Sequence, residues 1–525
     1  MQEKFYLTTA IDYVNGAPHI GHAYEKILAD VIIRHKRQLT DKAYMLTGTD
    51  EHGIKIQKTA FEKKISPIEL CNENFSGFEK AWNELEISYN QIIRTTDEKH
   101  KRAVKKIFKK LLDNGDIYKH SYTGLYCSGC ESFLNEKDLT QDGLCPDHLK
   151  KPEKITEENY FFKLTKYKEK IAEYIKSNPD FIKPSIRVNE ILNQLENIED
   201  ISVSRTKSSV QWGIEVPDDD TQTIYVWIDA LSNYITAIGY DTQAPAELFN
   251  ELWPADVHVI GKDIIKFHSI YWTAILMSLG IPLPKSIFAH GWITIDQSKM
   301  SKSIGNVIAP HDVLAAFNLE KPDAFRYYMA SAALSGKDGN YSDEDFKEKV
   351  NADLANNIGN LLNRTLNMLV KYFDGEVKPE FISDKNSKIA ILASNTRTQI
   401  IECFNQFEVA EAANLIISFA DNVNKYVTDN APWTLAKENK MLECGRVLYN
   451  ILEAMRHIAI MIYPYCPNIA KDILSQLNEK ADFKYTNLYW GGLKAGKITQ
   501  KDKIKPVFLR LDSEFATDKK KGLNI

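Results

Sequence analysis

The sequence predicts an α/β protein: a doubly wound parallel sheet, interrupted by an inserted module and followed by an α-helical bundle. Three observations carry that prediction. Strand-like and helix-like runs alternate at the start of the chain, with polar loops where the strands end. The alternation stops over residues 116–212, where cysteines, aromatics and turn residues dominate, and resumes at "TIYVWIDAL" and "ADVHVIGKDIIKFHSIYW". After about residue 345 the pattern is helical to near residue 480, with amphipathic stretches such as "DLANNIGNLLNRTLNMLVKYF".

Each element has its own signal. "FYLTTAIDY" reads as a buried strand. A helix is predicted from Pro18 to Lys36, with Ile20, Tyr24, Ile27, Leu28 and Val31 at helical spacing. Pro18 suits a helix start because its missing donor would be unpaired there anyway. "AYMLTGTDEHG" is a second strand that ends in a polar loop. Strand, helix, strand is the logic of a Rossmann-like sheet, which binds ligands in loops at the carboxyl ends of its strands. Residues 1–115 and 213–290 are therefore read as the two halves of that domain and 116–212 as the insert. Residues 291–350 form a loop and connecting region, 351–500 the helical domain, and 501–525 a charged tail.

Length and composition set the frame. A chain of 525 residues is too long for one compact core. With 44% hydrophobic and 26% charged residues it is ordinary for a soluble protein. It enters strand-like alternation at once, with no signal segment and no apolar run of bilayer length, so a cytoplasmic enzyme away from membranes is expected. Lys and Arg number 66 against 71 Asp and Glu, a net charge of -5. Nucleic acid would thus have to be bound through clustered basic surfaces rather than bulk charge. Seven cysteines, an odd count, argue for a reducing compartment.

The common phosphate-binding loops, GxxxxGK[ST] and GxGxxG after the first strand, are missing. His19 and His22 of "GAPHIGHAYEKIL" offer another grip, since they share a face at a helix start, where free amides already favour anions. Gly21 would let a bulky ligand approach the backbone. Taken alone, the pair could equally be two surface histidines. "DQSKMSKSIGN" holds Lys299 and Lys302 in a loop after "FAHGWITI". Together, "HIGH" and "KMSKS" form the paired signature of class I aminoacyl-tRNA synthetases, and the chain resembles that family in motif, order and context. The resemblance implies attack of an amino acid carboxylate on the α-phosphorus of ATP. Such a carboxylate is already ionised, so the need is in-line positioning and charge stabilisation. His19, His22, Lys299 and Lys302 would supply donors, with Mg²⁺ bridging the phosphates of ATP.

Across nearly the whole chain the resemblance is to methionyl-tRNA synthetases, carried by "TTAIDYVNGAPHIGH", "TGTDEHG", "YVWIDAL", "IGKDIIKFHSIYW", "AHGW" and "APWTLAK". Carried over residue by residue, it implies an L-methionine pocket of Ala10, Ile11, Tyr13, Asp50, Trp227, Ala230, Leu231, Tyr234 and His268. Asp50 would pair with the substrate ammonium, and Tyr13, Trp227, Tyr234 and His268 would wall the thioether, whose sulfur packs well on aromatic edges. Family variants carry leucine at position 11 and proline at 231. Gly261 and Asp263 would hold the ATP ribose, and Arg205 in "ISVSRTKSSVQWG" matches an arginine used in activation. The insert is too short for the editing domain of the isoleucine, valine and leucine enzymes. The catalytic zinc ligands of a cysteine-specific relative are missing near "HIGH".

Cys127, Cys130, Cys145 and His148 form C-x2-C-x14-C-x2-H, a spacing that suits one closed tetrahedral structural zinc ion. The alternative is coincidental thiols. Cys71, Cys403, Cys444 and Cys466 lie singly in helical patterns and read as packing residues. In "DLANNIGNLLNR", Asn356, Asn360 and Arg364 recur at i, i+4 and i+8, opposite Leu354, Ile358, Leu361 and Leu362. The resemblance implies that these three, with Pro432 and Trp433, receive the anticodon of tRNA(Met), initiator tRNA included. A polar outer helix face and a tryptophan in the bundle core would explain the same residues. The basic helix "KHKRAVKKIFKKLL" could lie near the acceptor stem or be a solvated amphipathic face. In the family's terms 291–350 is the lysine loop and stem-contact region, and 351–500 binds the anticodon. Many family members continue past "KPVFLRLDSEF" into a dimerisation domain, so a monomer is expected. The reading is ATP-dependent charging of tRNA(Met) through methionyl-adenylate. A class I synthetase of related specificity and a catalytically silent tRNA-binding paralogue remain open alternatives.

Overall fold

The computed structural model describes residues 4–127, 132–134, 139–146, 149–295, 307–332, 335–382 and 386–511. Its first part is β1 (Phe5–Thr9), β2 (Asp12–Tyr13), α1 (Ile20–Leu39) and β3 (Ala43–Asp50). Then come α2 (Ile54–Lys63), α3 (Pro67–Glu84), β4 (Gln91–Arg94) and α4 (Glu98–Asp113). The insert supplies β5 (Ile117–Cys127), β6 (Ser132–Leu134) and β7 (Glu153–Phe162). It continues with α5 (Lys168–Ser177), β8 (Ile182–Lys183), α6 (Val188–Glu196) and β9 (Ile201–Ser202). A small sheet of β10 (Ser204–Thr206), β11 (Glu215–Val216) and β12 (Asp219–Ile224) leads into α7 (Val226–Thr236). The second half of the core is β13 (Val257–Gly261) and β14 (Ile287–His290), followed by the β15 (Ile293–Ile295) and β16 (Gly339–Tyr341) pair.

The parallel-sheet core expected from the sequence is present. Strands β3, β1, β13, β14 and β8 lie in that order, all parallel, with β4 outside β3. Strand β1 stands where the two halves of the sheet meet, and ligand crevices form at such a reversal, beyond the carboxyl ends of the strands. The predicted single strand "FYLTTAIDY" is broken at Ala10–Ile11. Beyond the break, β2 shifts to the end of β3, setting Tyr13 opposite Asp50.

The sequence boundary of the insert hides one feature. Strand β8, inside 116–212, returns to the main sheet and pairs with β14 (Ile182 to Ile287, Lys183 to Phe288). A two-residue strand is too short for periodicity to reveal. The rest of the insert is antiparallel, with β5 between β6 and β7.

Helices cover both faces. One core packs α1 and α3 beneath the sheet and continues without a break into the C-terminal helices. The other packs α4, α7 and the insert helices above it. In α4, Val104, Ile107, Phe108 and Leu111 point inward as predicted, while Lys106 and Lys109 on the outer side pair with Asp241 and Asp218. The C-terminal region is helical. Helices Lys388–Asn405, Val409–Asn430 and Met441–Ile462 pack together behind a rod in which Asp343–Val350, a π-helical turn Asn351–Gly359 and Asn360–Phe373 run on end to end.

Candidate functional site

The first turn of α1 differs from its predicted form. The helix begins at Ile20, and His19 is its cap rather than its second residue. The His19 Nδ1 accepts the Gly21 amide at 3.1 Å, and the His22 Nδ1 accepts the His19 amide at 3.2 Å. This is a capping box built from two histidines, which satisfies two amides that a helix start leaves open. The rings stack, with centroids 3.7 Å apart. With each Nδ1 accepting, a neutral ring carries its proton on Nε2, so each imidazole is set as an N–H donor.

Both rings line a cavity of about 330 Å³ at the reversal of the sheet. It collects Ala10, Ile11 and Tyr13 from beyond β1, Gly21 from α1, and Gly261 and Asp263 from the end of β13. All eight of these residues were singled out from the sequence. A Cβ at Gly261 would stand 2.6 Å from Asp263 Oδ1, so only glycine keeps that carboxylate in place. Sequence reasoning missed Asp12, Tyr24, Glu25, His290 and Trp292, which line the same cavity. The motifs containing them were read for their neighbours. Trp292 donates its indole N–H to Asp263 Oδ1 at 3.1 Å, lies under the Lys262 ammonium at 4.3 Å, and its amide donates to Asp338.

The cavity floor is a buried chain of charge. Lys26, fully buried, donates to Ala10 O, Asp12 Oδ1 and Glu25 Oε1 at 2.7–3.0 Å. Glu25 Oε2 lies 3.1 Å from His290 Nε2. Burial pushes the Asp12 carboxyl up to about 7, even with the Lys26 ammonium beside it. Burial also works against Glu25, but Lys26 and His290 hold its carboxyl below the usual range.

Next to the cavity is an aromatic wall. Trp227, in the first turn of α7, stacks on Phe267 at 3.5 Å, and Phe267 meets Tyr271 edge-on. The Tyr234 hydroxyl is 2.6 Å from His268 Nε2, while His268 Nδ1 donates to Ile264 O. Ala230 and Leu231 lie buried on the same helix. Burial lowers the His268 imidazole to about 4, so the ring is neutral at physiological pH. Phe267 is a further residue that sequence reasoning missed. Asp50, at the end of β3, is buried opposite Tyr13. Arg205 does not reach the large cavity. Its guanidinium lies 4.0 Å from the Tyr225 ring, and the residue lines a separate water-sized space with His52, Tyr126 and Trp212. Lys299 and Lys302 lie outside the described residues.

A family model described as tRNA synthetases class I (M) matches residues 5–151 and 148–366. The methionine–tRNA ligase of Clostridium acetobutylicum is 44% identical over 515 residues, covering 97% of this chain and 79% of that protein. The chain belongs to the methionine–tRNA ligase family. The Thermotoga maritima member is 42% identical over 518 residues, covering 97% of this chain and 81% of its own. Among solved structures, Mycobacterium tuberculosis methionyl-tRNA synthetase in complex with methionyl-adenylate superposes with a TM-score of 0.91 at 37% identity, covering 97% of this chain and 100% of that one. Its apo form gives 0.85 at 35% identity, covering 98% and 99%.

At the far end of this methionine–tRNA ligase family member, Asn356, Asn360 and Arg364 are all exposed. Asn356 lies in the π-helical turn, so the strict α-helical i, i+4 spacing read from the sequence does not hold there. The turn brings Asn357 into play instead: Asn357 bonds Asp421 and Asn424, and Asn424 accepts from Arg364 at 2.7 Å. Pro432 is buried at the start of helix Pro432–Lys437, whereas Trp433 is 39% exposed, so it is not a core tryptophan. Of the four cysteine and histidine positions read as zinc ligands, Cys127 and Cys145 are described and buried, and Cys130 and His148 lie outside the described residues. Among the described residues no group of three or more His, Cys, Asp or Glu side chains is placed to hold a metal ion. Cys71, Cys403, Cys444 and Cys466 are buried and unbridged. No helix among the described residues is long and apolar enough to cross a membrane.

Proposed function

We propose that the chain ligates L-methionine to tRNA(Met), initiator tRNA included, in two steps. Methionine and ATP first give methionyl-adenylate and diphosphate; the methionyl group then passes to the tRNA, releasing AMP. The observation that carries the reading is the pair of capped histidines. Their rings line one cavity together with Gly261 and Asp263, and each presents an Nε2–H donor.

In the first step a methionine carboxylate oxygen bonds to the α-phosphorus, and the bond from that phosphorus to the bridging oxygen of diphosphate breaks. The nucleophile is already ionised, so no base is required, and binding energy goes into alignment and charge. His19 and His22 donate to phosphate oxygens, and Gly21 lets the phosphates approach the backbone. Lys299 and Lys302 of "KMSKS" add cationic donors for the phosphates, and Arg205 assists activation. Gly261 and Asp263 hold the ribose, the Asp263 carboxylate accepting from its hydroxyls. Asp50 receives the ammonium; Ala10, Ile11, Tyr13, Trp227, Ala230, Leu231, Tyr234 and His268 enclose the side chain. Mg²⁺ would enter with ATP and would supply charge neutralisation on the triphosphate; no residue of the chain is assigned to it.

The donor set of the insert, three thiols and one imidazole, is of the kind that structural zinc takes. Cys127 closes β5 opposite Ser132, and Cys145 opens a tight turn in which its amide bonds Lys150 O and its carbonyl accepts from Leu149. Cys127, Cys130, Cys145 and His148 would hold the ion, which ties the two turns together without taking part in the reaction. Asn356, Asn360, Arg364, Pro432 and Trp433 meet the anticodon, where an exposed tryptophan can stack on a splayed base. The chain is read as a cytoplasmic monomer, which light scattering of the purified protein tests. ATP–pyrophosphate exchange measured across the amino acids tests the function. Exchange driven by methionine supports it, whereas exchange driven by another amino acid, or tRNA binding without exchange, overturns it.

A further inference from the structure

Asp229 lies at the centre of a buried polar cluster that activation, as described, leaves unused. Its side chain is 1% exposed. One carboxylate oxygen stands 2.6 Å from His52 Nδ1, the other 2.7 Å from His100 Nε2. His100 in turn stands 2.7 Å from the Thr236 hydroxyl through Nδ1. A hydroxyl donating to Nδ1 fixes the proton of that ring on Nε2, where it is given to Asp229. Burial alone would raise the Asp229 carboxyl, but His52 and His100 hold it down at about 2. It is an anion that accepts from both sides.

The three elements that meet here come from distant parts of the chain. His52 is in the loop after β3, two residues beyond Asp50. His100 is in α4, and Asp229 and Thr236 are in α7. Helix α7 also carries Trp227, Ala230, Leu231 and Tyr234. It follows β12, which belongs to the small antiparallel sheet and not to the parallel core. The register of the main sheet therefore places Asp50 but does not place α7. The loop itself is rigid. Glu51, fully buried, accepts from Thr49 and Arg94 at 2.7 Å, and its carbonyl accepts the Trp212 indole N–H at 2.6 Å.

We infer that Asp229 is a positioning residue for the amino acid. Through His52 and His100 it sets how far the Asp50 carboxylate stands from the Trp227–Tyr234 wall, and hence how well a substrate of fixed ammonium-to-side-chain length fits between them. The inference rests on the methionine reading of this pocket. Asp229 need not touch substrate; it acts by holding one half of the pocket against the other.

The test is steady-state ATP–pyrophosphate exchange by the full chain, with Asp229→Asn, His52→Gln and their double variant, and a melting temperature for each. Losing a charged hydrogen bond of this kind predicts that each single variant raises the KM for methionine about tenfold. The double variant raises it no further than Asp229→Asn alone, because the His52 contact is already broken in that variant. The kcat and the KM for ATP stay within about twofold, since neither residue lines the cavity assigned to the phosphates. Asp229→Glu keeps the charge but lengthens the link by one methylene, and it too raises the methionine KM. An unchanged methionine KM overturns the inference, as does a loss in which kcat and both KM values move together with the melting temperature. A wild-type methionine KM in Asp229→Glu also overturns it. If Asp229→Asn does not fold, His52→Gln at the edge of the cluster carries the same test. Wild-type exchange driven by a different amino acid overturns the reading beneath, and the variants assayed with that substrate then test the positioning role on its own.

Discussion

Asp30 and Arg326 form an ion pair at 2.6 Å in which neither side chain is exposed. Asp30 is in α1, directly below the sheet; Arg326 is in the helix Asp323–Ser331, against the C-terminal helices. The Arg326 guanidinium also donates to the carbonyls of Leu85, Pro464 and Tyr465. Asp30 accepts from Arg34 and from Ser88 as well. Burial by itself would raise the Asp30 carboxyl, but the Arg34 and Arg326 guanidiniums hold it well below the carboxylate range. Each guanidinium nitrogen of Arg326 and each carboxylate oxygen of Asp30 has a partner, so the nucleotide-binding half and the helical half of the chain are joined by a fully buried polar junction.

Arg326→Ala should therefore be costly. Removing one partner of a buried, fully bonded pair leaves the other desolvated, at a cost of about 3–5 kcal/mol. Urea unfolding is the measurement, and a loss below about 1 kcal/mol would show that the junction is not what holds the halves together.

The histidine cap makes a separable prediction. His22→Ala should slow adenylate formation by roughly 10²–10³, the effect of losing one transition-state donor. The methionine KM should change little. Because His22 also accepts the His19 amide, part of the effect could come through the helix end. His22→Gln retains an amide donor and an acceptor and should recover a measurable share of the rate. Pyrophosphate exchange in His22→Ala at the wild-type rate would remove the imidazoles from the mechanism.

Much of this site was legible because its residues sit at boundaries that sequence marks well. Gly261 and Asp263 follow a buried strand, and Gly21 lies between two histidines, so their placement in one cavity follows once the strand order is known. The capping role of His19 was not legible, since histidine is an uncommon cap and Pro18 looked like the better helix start. The π-helical turn around Asn356 was invisible because one added residue per turn leaves the apolar pattern nearly intact. The cluster of His52, His100 and Asp229 could not have been read at all. Its members come from three elements, and only folding brings them together. Glu25 and Lys26 were passed over for a related reason, as charged residues on a helix usually face water, whereas α1 is covered on both sides.

His35 predicts a pH effect. Its ring stacks on Phe404 at 3.8 Å, and neither ring nitrogen has a hydrogen-bond partner among the described residues. Burial, helped by the neighbouring Lys36, holds the imidazole well below its ordinary value. The unfolded chain therefore binds a proton that the folded chain refuses as pH falls below about 6.5, and stability drops across that window. His35→Phe keeps the stack and removes the proton site. Its melting temperature should exceed that of the wild type by more at pH 5 than at pH 8. An equal difference at both values would place the acid sensitivity elsewhere.

Metal removal tests the insert. The purified chain should carry one zinc ion, and Cys145→Ser should lose it together with proteolytic resistance over residues 123–156, around the outer ends of β5 and β7. The main sheet, which does not depend on the insert hairpin, should keep its melting transition. Structural zinc supplies roughly 10–16 kcal/mol to small metal-folded units, so partial loss of order is not the expected result. A zinc-free protein with an intact, protease-resistant insert would assign Cys127 and Cys145 to packing.

The exposed tryptophan divides the two half-reactions. Trp433 lies in the helical region with 39% of its surface open. A splayed base can stack on the exposed ring, at about 1–3 kcal/mol per stacked base. Trp433→Ala should thus raise the KM for tRNA by about ten- to a hundredfold. Pyrophosphate exchange, which needs no tRNA, should be unchanged. Trp433→Phe retains a stacking face and should fall between the two. If Trp433→Ala charges tRNA normally, the anticodon is held by other residues; if exchange falls as well, the substitution has disturbed the fold rather than the RNA contact.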